Sequence, residues 1–168
     1  VAADLVSGRQ AVLDRGSVAT ALVATSAIPG VFPLVRHGNT CLVDGGLVSL
    51  VPVALLKRHR CGLKIAVNVQ PDFGVDESAD LAVLHKSRAG VFSIGSVITR
   101  AWEMLGAAHG VSECAAADIV IRPRVDRTSG SDFDSFEHFV GQGELAAMES
   151  IELITSEVNR VLRPRVHR

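Results

Sequence analysis

The sequence predicts an α/β fold in which a largely parallel sheet is flanked by helices, and three observations lead there. The composition is 48% hydrophobic but only 4% aromatic, with no tyrosine. Such aliphatic richness suits strands covered on both faces by helices. Short apolar runs alternate with helical patterns along the chain, the order of a layered α/β domain. The run Ile65-Ala66-Val67-Asn68-Val69 has the form of a buried parallel strand. At 168 residues the chain fits one domain or a large part of one.

Taken in order, Val1 to Leu5 reads as a strand running into a turn at Ser7-Gly8, and Gln10 to Leu13 as a second short strand. Ser17 is a good N-cap for a helix over Val18 to Ser26, which Pro29 and Gly30 stop. Leu34 to Arg36 and Thr40 to Val43 flank Gly38-Asn39, a two-residue hairpin loop. A short helix follows from Pro52 to Arg60, with Pro52 near its first turn and Gly62 just past its end. Residues 71–80 read as a polar, mobile loop and Arg88 to Ala108 as a longer helix that Gly90 and Gly95 weaken. Ile119 to Ile121 is a strand, and Arg127 to Asp134 a loop. In the last helix Leu145, Met148, Ile151, Ile154, Val158, Val161 and Leu162 recur at steps of three and four as one apolar face, ended by Pro164.

The net charge of −1 and pI near 6.6 give no global field to draw in nucleic acid. The basic clusters Lys57 to Arg60 and Arg163 to Arg168 read as cations offsetting helix C-termini rather than as a headgroup patch. Three widely spaced cysteines, Cys41, Cys61 and Cys114, argue against a disulfide framework and a zinc site and fit thiols packed as small hydrophobes in a reducing compartment. The six histidines show no metal-ligand spacing. His59, His109, His138 and His167 read as surface residues, and His37 as facing the hairpin turn. No apolar run is long enough to span a membrane. Val1-Ala2-Ala3 reads as the middle of a strand, so a cut piece is expected.

The residues best placed for chemistry lie between Ala24 and Val53. Asp44 stands where an apolar strand gives way to Gly45 and Gly46. A carboxylate at such an edge is half buried, burial raises its proton affinity as a general base requires, and the glycines permit close approach. Asp-Gly-Gly by itself is most often only a turn.

The longer stretch Ala24-Thr25-Ser26-Ala27-Ile28-Pro29-Gly30-Val31-Phe32, then Val43-Asp44-Gly45-Gly46, then Val51-Pro52-Val53 and Ile65 to Val69, resembles the patatin-like phospholipase family, including its neuropathy-target-esterase-like bacterial branch. Val1 to Leu5 with Gly8, Ala117 to Pro123, Asp132-Phe133 and Gly143 to Ala147 are similar to other parts of that family. The resemblance implies that residues 1–168 are the C-terminal portion of one patatin-like domain, incomplete at its N-terminal side, hydrolysing acyl esters of phospholipid or lysophospholipid type. It implies that Asp44 is the aspartate of a Ser-Asp dyad, with Gly45, Gly46, Pro29 and Gly30 as supporting motif residues. It implies no metal and no organic cofactor.

One departure matters for activity: the 15 glycines include no Gly-x-Ser-x-Gly elbow, and no Gly-rich oxyanion loop precedes Asp44. The chain alone is therefore expected to be inactive. The partners expected are a lipid or ester substrate, peripheral contact with the inner face of a membrane from the cytoplasm, and self-association or pairing with the absent N-terminal portion through an open sheet edge. A non-catalytic lipid-binding or interaction role is the competing reading. Ser26 reads as a helix-end residue rather than a nucleophile, and Asp4 as a residue that orients a loop. Trp102, Met104 and Leu105, with Phe92 and Ile94, read as core packing more than as an acyl groove.

Overall fold

The structure, a computed structural model, describes residues 1–70, 94–125 and 133–162. The expected loop at 71–80, the start of the middle helix before residue 94, most of the loop at 127–134 and Pro164 lie outside the described residues.

Four strands, β1 (Ala2–Asp4), β2 (Arg9–Ala11), β3 (Val35–His37) and β4 (Thr40–Asp44), form a sheet in the order β2-β1-β4-β3. All its pairings are antiparallel, with Ala2 opposite Asp44 and Asp4 opposite Leu42. The expectation of a largely parallel sheet is corrected here. The β1–β2 and β3–β4 links are tight turns, and parallel neighbours need a crossover of a dozen or more residues. Among the described residues, parallel pairing is confined to β5 (Ile65–Val67) and β6 (Ile119–Ile121), whose connection carries helix α2 (Ile94–Cys114).

The β1–β2 turn is organised by Asp4, which is 7% exposed. Its carboxylate accepts from Val6 N at 3.2 Å, Ser7 N at 3.3 Å, Ser7 Oγ at 2.6 Å and, across the sheet, Cys41 N at 3.1 Å. Gly8 closes the turn at φ +68°. The Ser7 hydroxyl holds the Asp4 carboxyl below its ordinary value of 3.8; burial opposes this, and the Cys41, Val6 and Ser7 amides reinforce it. A depressed folded-state pKa contributes stability that is complete above the unfolded value and is lost as pH falls through the folded value. Stability should therefore decline as pH drops below 3.8, and Asp4→Asn should flatten that decline. Denaturant melts of both proteins across this range measure it; parallel curves would remove Asp4 from the acid response.

Helix α1 (Val18–Thr25) starts as expected, with Ser17 Oγ accepting from Thr20 N at 3.3 Å. It buries Ala24 against Ala2 and Leu42. Thr25 Oγ1 donates to Val1 O at 2.6 Å, tying the end of α1 to β1. The chain then turns at Ile28-Pro29-Gly30-Val31, where Val31 N donates to Ile28 O at 3.0 Å and Gly30 has φ +85°. Proline then glycine at these two positions is the type II turn pattern. The hairpin loop is also as expected, with Gly38 at φ +58° in its first position.

The segment after Pro52 is a 3-10 helix, Val53–His59, with Lys57, Arg58 and His59 in its last turn. It ends where expected, at its cap Arg60, which has φ +50°. Beyond β6 the expected single helix is two, α3 (Phe136–Glu149) and α4 (Ile151–Leu162). They part at Ser150, whose Oγ donates to Ala146 O at 3.0 Å and whose N–H donates to Ala147 O, a back-bond that competes with helix continuation. The expected apolar face is only partly used. Ala146 is buried with Ile119 and Ile121, and Ile154 packs on them, whereas Leu145, Met148, Ile151 and Leu162 are exposed. Cys114 is buried, but Cys61 is exposed, contrary to the expectation of packed thiols. Among the described residues, the core consists of three small clusters, centred on Ala2-Ala24-Leu42, Val51-Val53-Ala66-Cys114 and Ile119-Ile121-Ala146.

Candidate active site

Asp44 ends β4 and caps the 3-10 turn Gly45–Leu47, its Oδ1 accepting from Gly46 N at 2.7 Å. Its own N–H donates to Ala27 O at 3.0 Å. The side chain is half buried, and among the described residues no hydrogen bond reaches Oδ2. Of the expected supporting residues, Gly46 meets it directly, while Gly45 packs against the start of β1. A methyl group placed on Gly45 would overlap the Val1 carbonyl, and one placed on Gly46 would lie 3.0 Å from both Asp44 Oδ1 and Leu50 Cδ2. Pro29 and Gly30 act at one remove, shaping the turn that follows Ala27, whose carbonyl receives the Asp44 amide.

Beside Gly46 opens a cavity of about 300 Å³, lined by Gly46, Leu47, Ile98, Ala101, Trp102, Leu105, Gly106 and His109. Trp102 Nε1 lies 3.8 Å from the same methyl position on Gly46 that lies 3.0 Å from Asp44 Oδ1, so the carboxylate, Gly46 and the indole cluster at one edge of the cavity. The expectation that Trp102, Met104 and Leu105 pack in the core is corrected. Leu105 is 64% exposed and lines the cavity, while Met104 is 57% exposed and lies outside the lining.

Close approach along α2 depends on two glycines. A methyl group on Gly106 would meet Leu50 Cδ1 at 2.6 Å, and one on Gly110 would touch the Asn68 side chain at 3.6 Å. Asn68 is buried beyond the end of β5, its N–H donating to Ile121 O at 2.9 Å. The helix is thus held against both the Asp44 loop and the parallel pair.

Two residues of the site lie outside the sequence expectation. His109 lines the cavity. Glu113 Oε2 accepts from Leu50 N at 3.0 Å and Val51 N at 2.7 Å. A signal for them does exist: Ile98, Trp102, Leu105, His109 and Glu113 recur at three- and four-residue steps, one helix face. A carboxylate in the last turn of α2 also runs against the macrodipole, so it needs another reason to be there. Ser26 is the exposed cap of α1, its N–H donating to Leu22 O at 3.2 Å, which is the helix-end role expected of it.

Chemically, the arrangement is a carboxylate with one oxygen taken by an amide and the other without a hydrogen-bond donor among the described residues, beside an apolar cavity. It can accept a proton from a hydroxyl presented there while an aliphatic chain fills the cavity. Among the described residues, no group of three His, Cys, Asp or Glu is placed to hold a metal ion, and no helix is long and apolar enough to cross a membrane.

Residues 3–57, which contain β2 to β4, Asp44 and all of β1 but Ala2, match the family model described as patatin-like phospholipase. The chain is also similar to uncharacterized NTE family proteins of Mycobacterium bovis and of two strains of Mycobacterium tuberculosis, at 25% identity over 164 residues. The similarity covers 90% of this chain but 28% of each relative. These matches support kinship with the patatin-like phospholipases, for a chain that spans little more than a quarter of the relatives' length.

Proposed function

We propose that this chain is part of a patatin-like serine hydrolase that cleaves acyl esters of lipids, and that Asp44 is its general base. The observation that carries this reading is the position of Asp44, half buried beside Gly46 at the edge of an apolar cavity, within the segment that the family model matches. The nucleophilic serine would come from outside these 168 residues, which contain no Gly-x-Ser-x-Gly. Its hydroxyl proton passes to Asp44 Oδ2 as the serine oxygen bonds to the acyl carbon. The departing alkoxide takes that proton back. Water, deprotonated in turn by Asp44, then releases the acid and restores the serine.

The cavity supplies the acyl subsite in this reading, because its walls include aliphatic and aromatic side chains from α2 together with Leu47. The absence of an elbow also favours a second reading, a lipid-binding module without chemistry. The two share the cavity and differ at Asp44.

Trp102 is the single tryptophan of the chain, which makes the subsite directly observable. Titrating the chain with laurate should shift Trp102 emission to shorter wavelength in a saturable way, and Leu105→Asp should abolish the shift. Emission that ignores laurate, or responds equally in the variant, would remove the acyl subsite.

A further inference from the structure

We infer that Glu113 is a positioning residue for Asp44, acting through the loop between Gly45 and Val51; the inference rests on the proposed role of Asp44. Glu113 Oε2 accepts two consecutive amides, Leu50 N at 3.0 Å and Val51 N at 2.7 Å. A single carboxylate oxygen that takes two adjacent backbone N–H groups fixes both the direction and the height of that segment, and charge-assisted bonds of this kind are the stronger class. The side chain of Leu50 then reaches between two glycines. Its Cδ2 lies 3.0 Å from a methyl position on Gly46, and its Cδ1 lies 2.6 Å from one on Gly106. Leu50 is therefore a wedge seated where neither neighbour has a side chain. Gly46, pressed on one side by that wedge, donates its N–H to Asp44 Oδ1 at 2.7 Å.

The sequence of contacts runs from the last turn of α2 to the proposed base: Glu113 sets the Leu50 backbone, Leu50 seats Gly46, and Gly46 orients the Asp44 carboxylate. The same helix supplies the wall of the cavity through Trp102, Leu105 and His109. Glu113 thereby holds the carboxylate and the acyl wall in one register, and small misplacements of a reacting group lower rates steeply.

Two variants separate this role from a generic fold requirement. Glu113→Gln keeps the length and an acceptor oxygen, whereas Glu113→Asp keeps the charge and withdraws the acceptor by one methylene. In the full-length protein that carries this chain, Glu113→Asp should lower kcat for a long-chain p-nitrophenyl ester roughly 10- to 100-fold with KM little changed, and Glu113→Gln should restore most of it. In the same variants, amide exchange should quicken at Leu50, Val51 and Gly46 in Glu113→Asp and stay slow in Glu113→Gln. Exchange at Gly46 that is indifferent to both substitutions would overturn the inference, as would an Asp variant more active than the Gln variant. If Asp44→Asn leaves ester turnover intact, the proposed function fails by itself, and Gly46 exchange still decides whether Glu113 governs the Asp44 loop.

Discussion

Asp44→Asn is expected to reduce turnover of a long-chain ester by about 10²- to 10⁴-fold in the full-length protein, the range for loss of a general base, while KM stays close to that of the unmodified protein. The substitution is nearly isosteric. Its side-chain oxygen can still accept from Gly46 N, the bond that is 2.7 Å long here, so the turn and the cavity edge should persist. What disappears is the carboxylate proposed to take the serine proton. Asp44→Ala should do the same, with added disturbance of the 3-10 turn that Asp44 caps. Asp4 is the matched control: it is also an aspartate at a strand end, but its oxygens are occupied by Val6, Ser7 and Cys41. Asp4→Asn should change acid stability and leave turnover at neutral pH unchanged. Near-normal turnover in Asp44→Asn would remove this residue from the mechanism and favour the lipid-binding reading. The 168-residue chain alone should hydrolyse no p-nitrophenyl ester, since it contains no elbow serine.

Gly45→Ala is expected to destabilise the chain by about 1–3 kcal/mol or more, the effect of forcing an extra methyl group into packed surroundings. The obstacle is backbone: the added carbon would overlap the Val1 carbonyl, which is also held by Thr25 Oγ1 at 2.6 Å. A side chain could swing aside, but this carbonyl belongs to the link between β1 and α1. Gly141→Ala is the contrast. Gly141 lies within α3, and an added methyl group there would point into open space, so alanine should stabilise by roughly 0.5–1 kcal/mol through lost unfolded-state freedom. Chemical unfolding of the two variants measures both signs. A Gly45→Ala protein as stable as its parent would show that the Val1 carbonyl is free to move, and the close approach would then not be what selects glycine there.

Local chemistry is legible wherever one residue decides the backbone. Ser17 caps α1, Pro29-Gly30 makes a type II turn, Gly38 opens the hairpin, and Ile119 to Ile121 is a strand. Each of these depends on interactions a few residues long. Helix α2 runs past the expected end at Ala108 to Cys114, and its Gly106 and Gly110 are points of contact with Leu50 and Asn68, packing that the local pattern does not show. The break at Ser150 is hidden because the apolar period runs through it, and a side-chain bond to Ala146 O leaves no trace in hydropathy.

By itself the sequence determined the strands and turns that place Asp44 at a strand exit beside two glycines, since these follow from φ preferences and short-range hydrogen bonds. Only the tertiary structure decided that the first sheet is antiparallel, that Trp102 and Leu105 face a cavity rather than a core, and that Glu113 reaches Leu50 and Val51. The physical reason is separation along the chain: Glu113 lies 63 positions from Leu50, and a contact of that range is settled by how helices and strands pack, which no local pattern encodes.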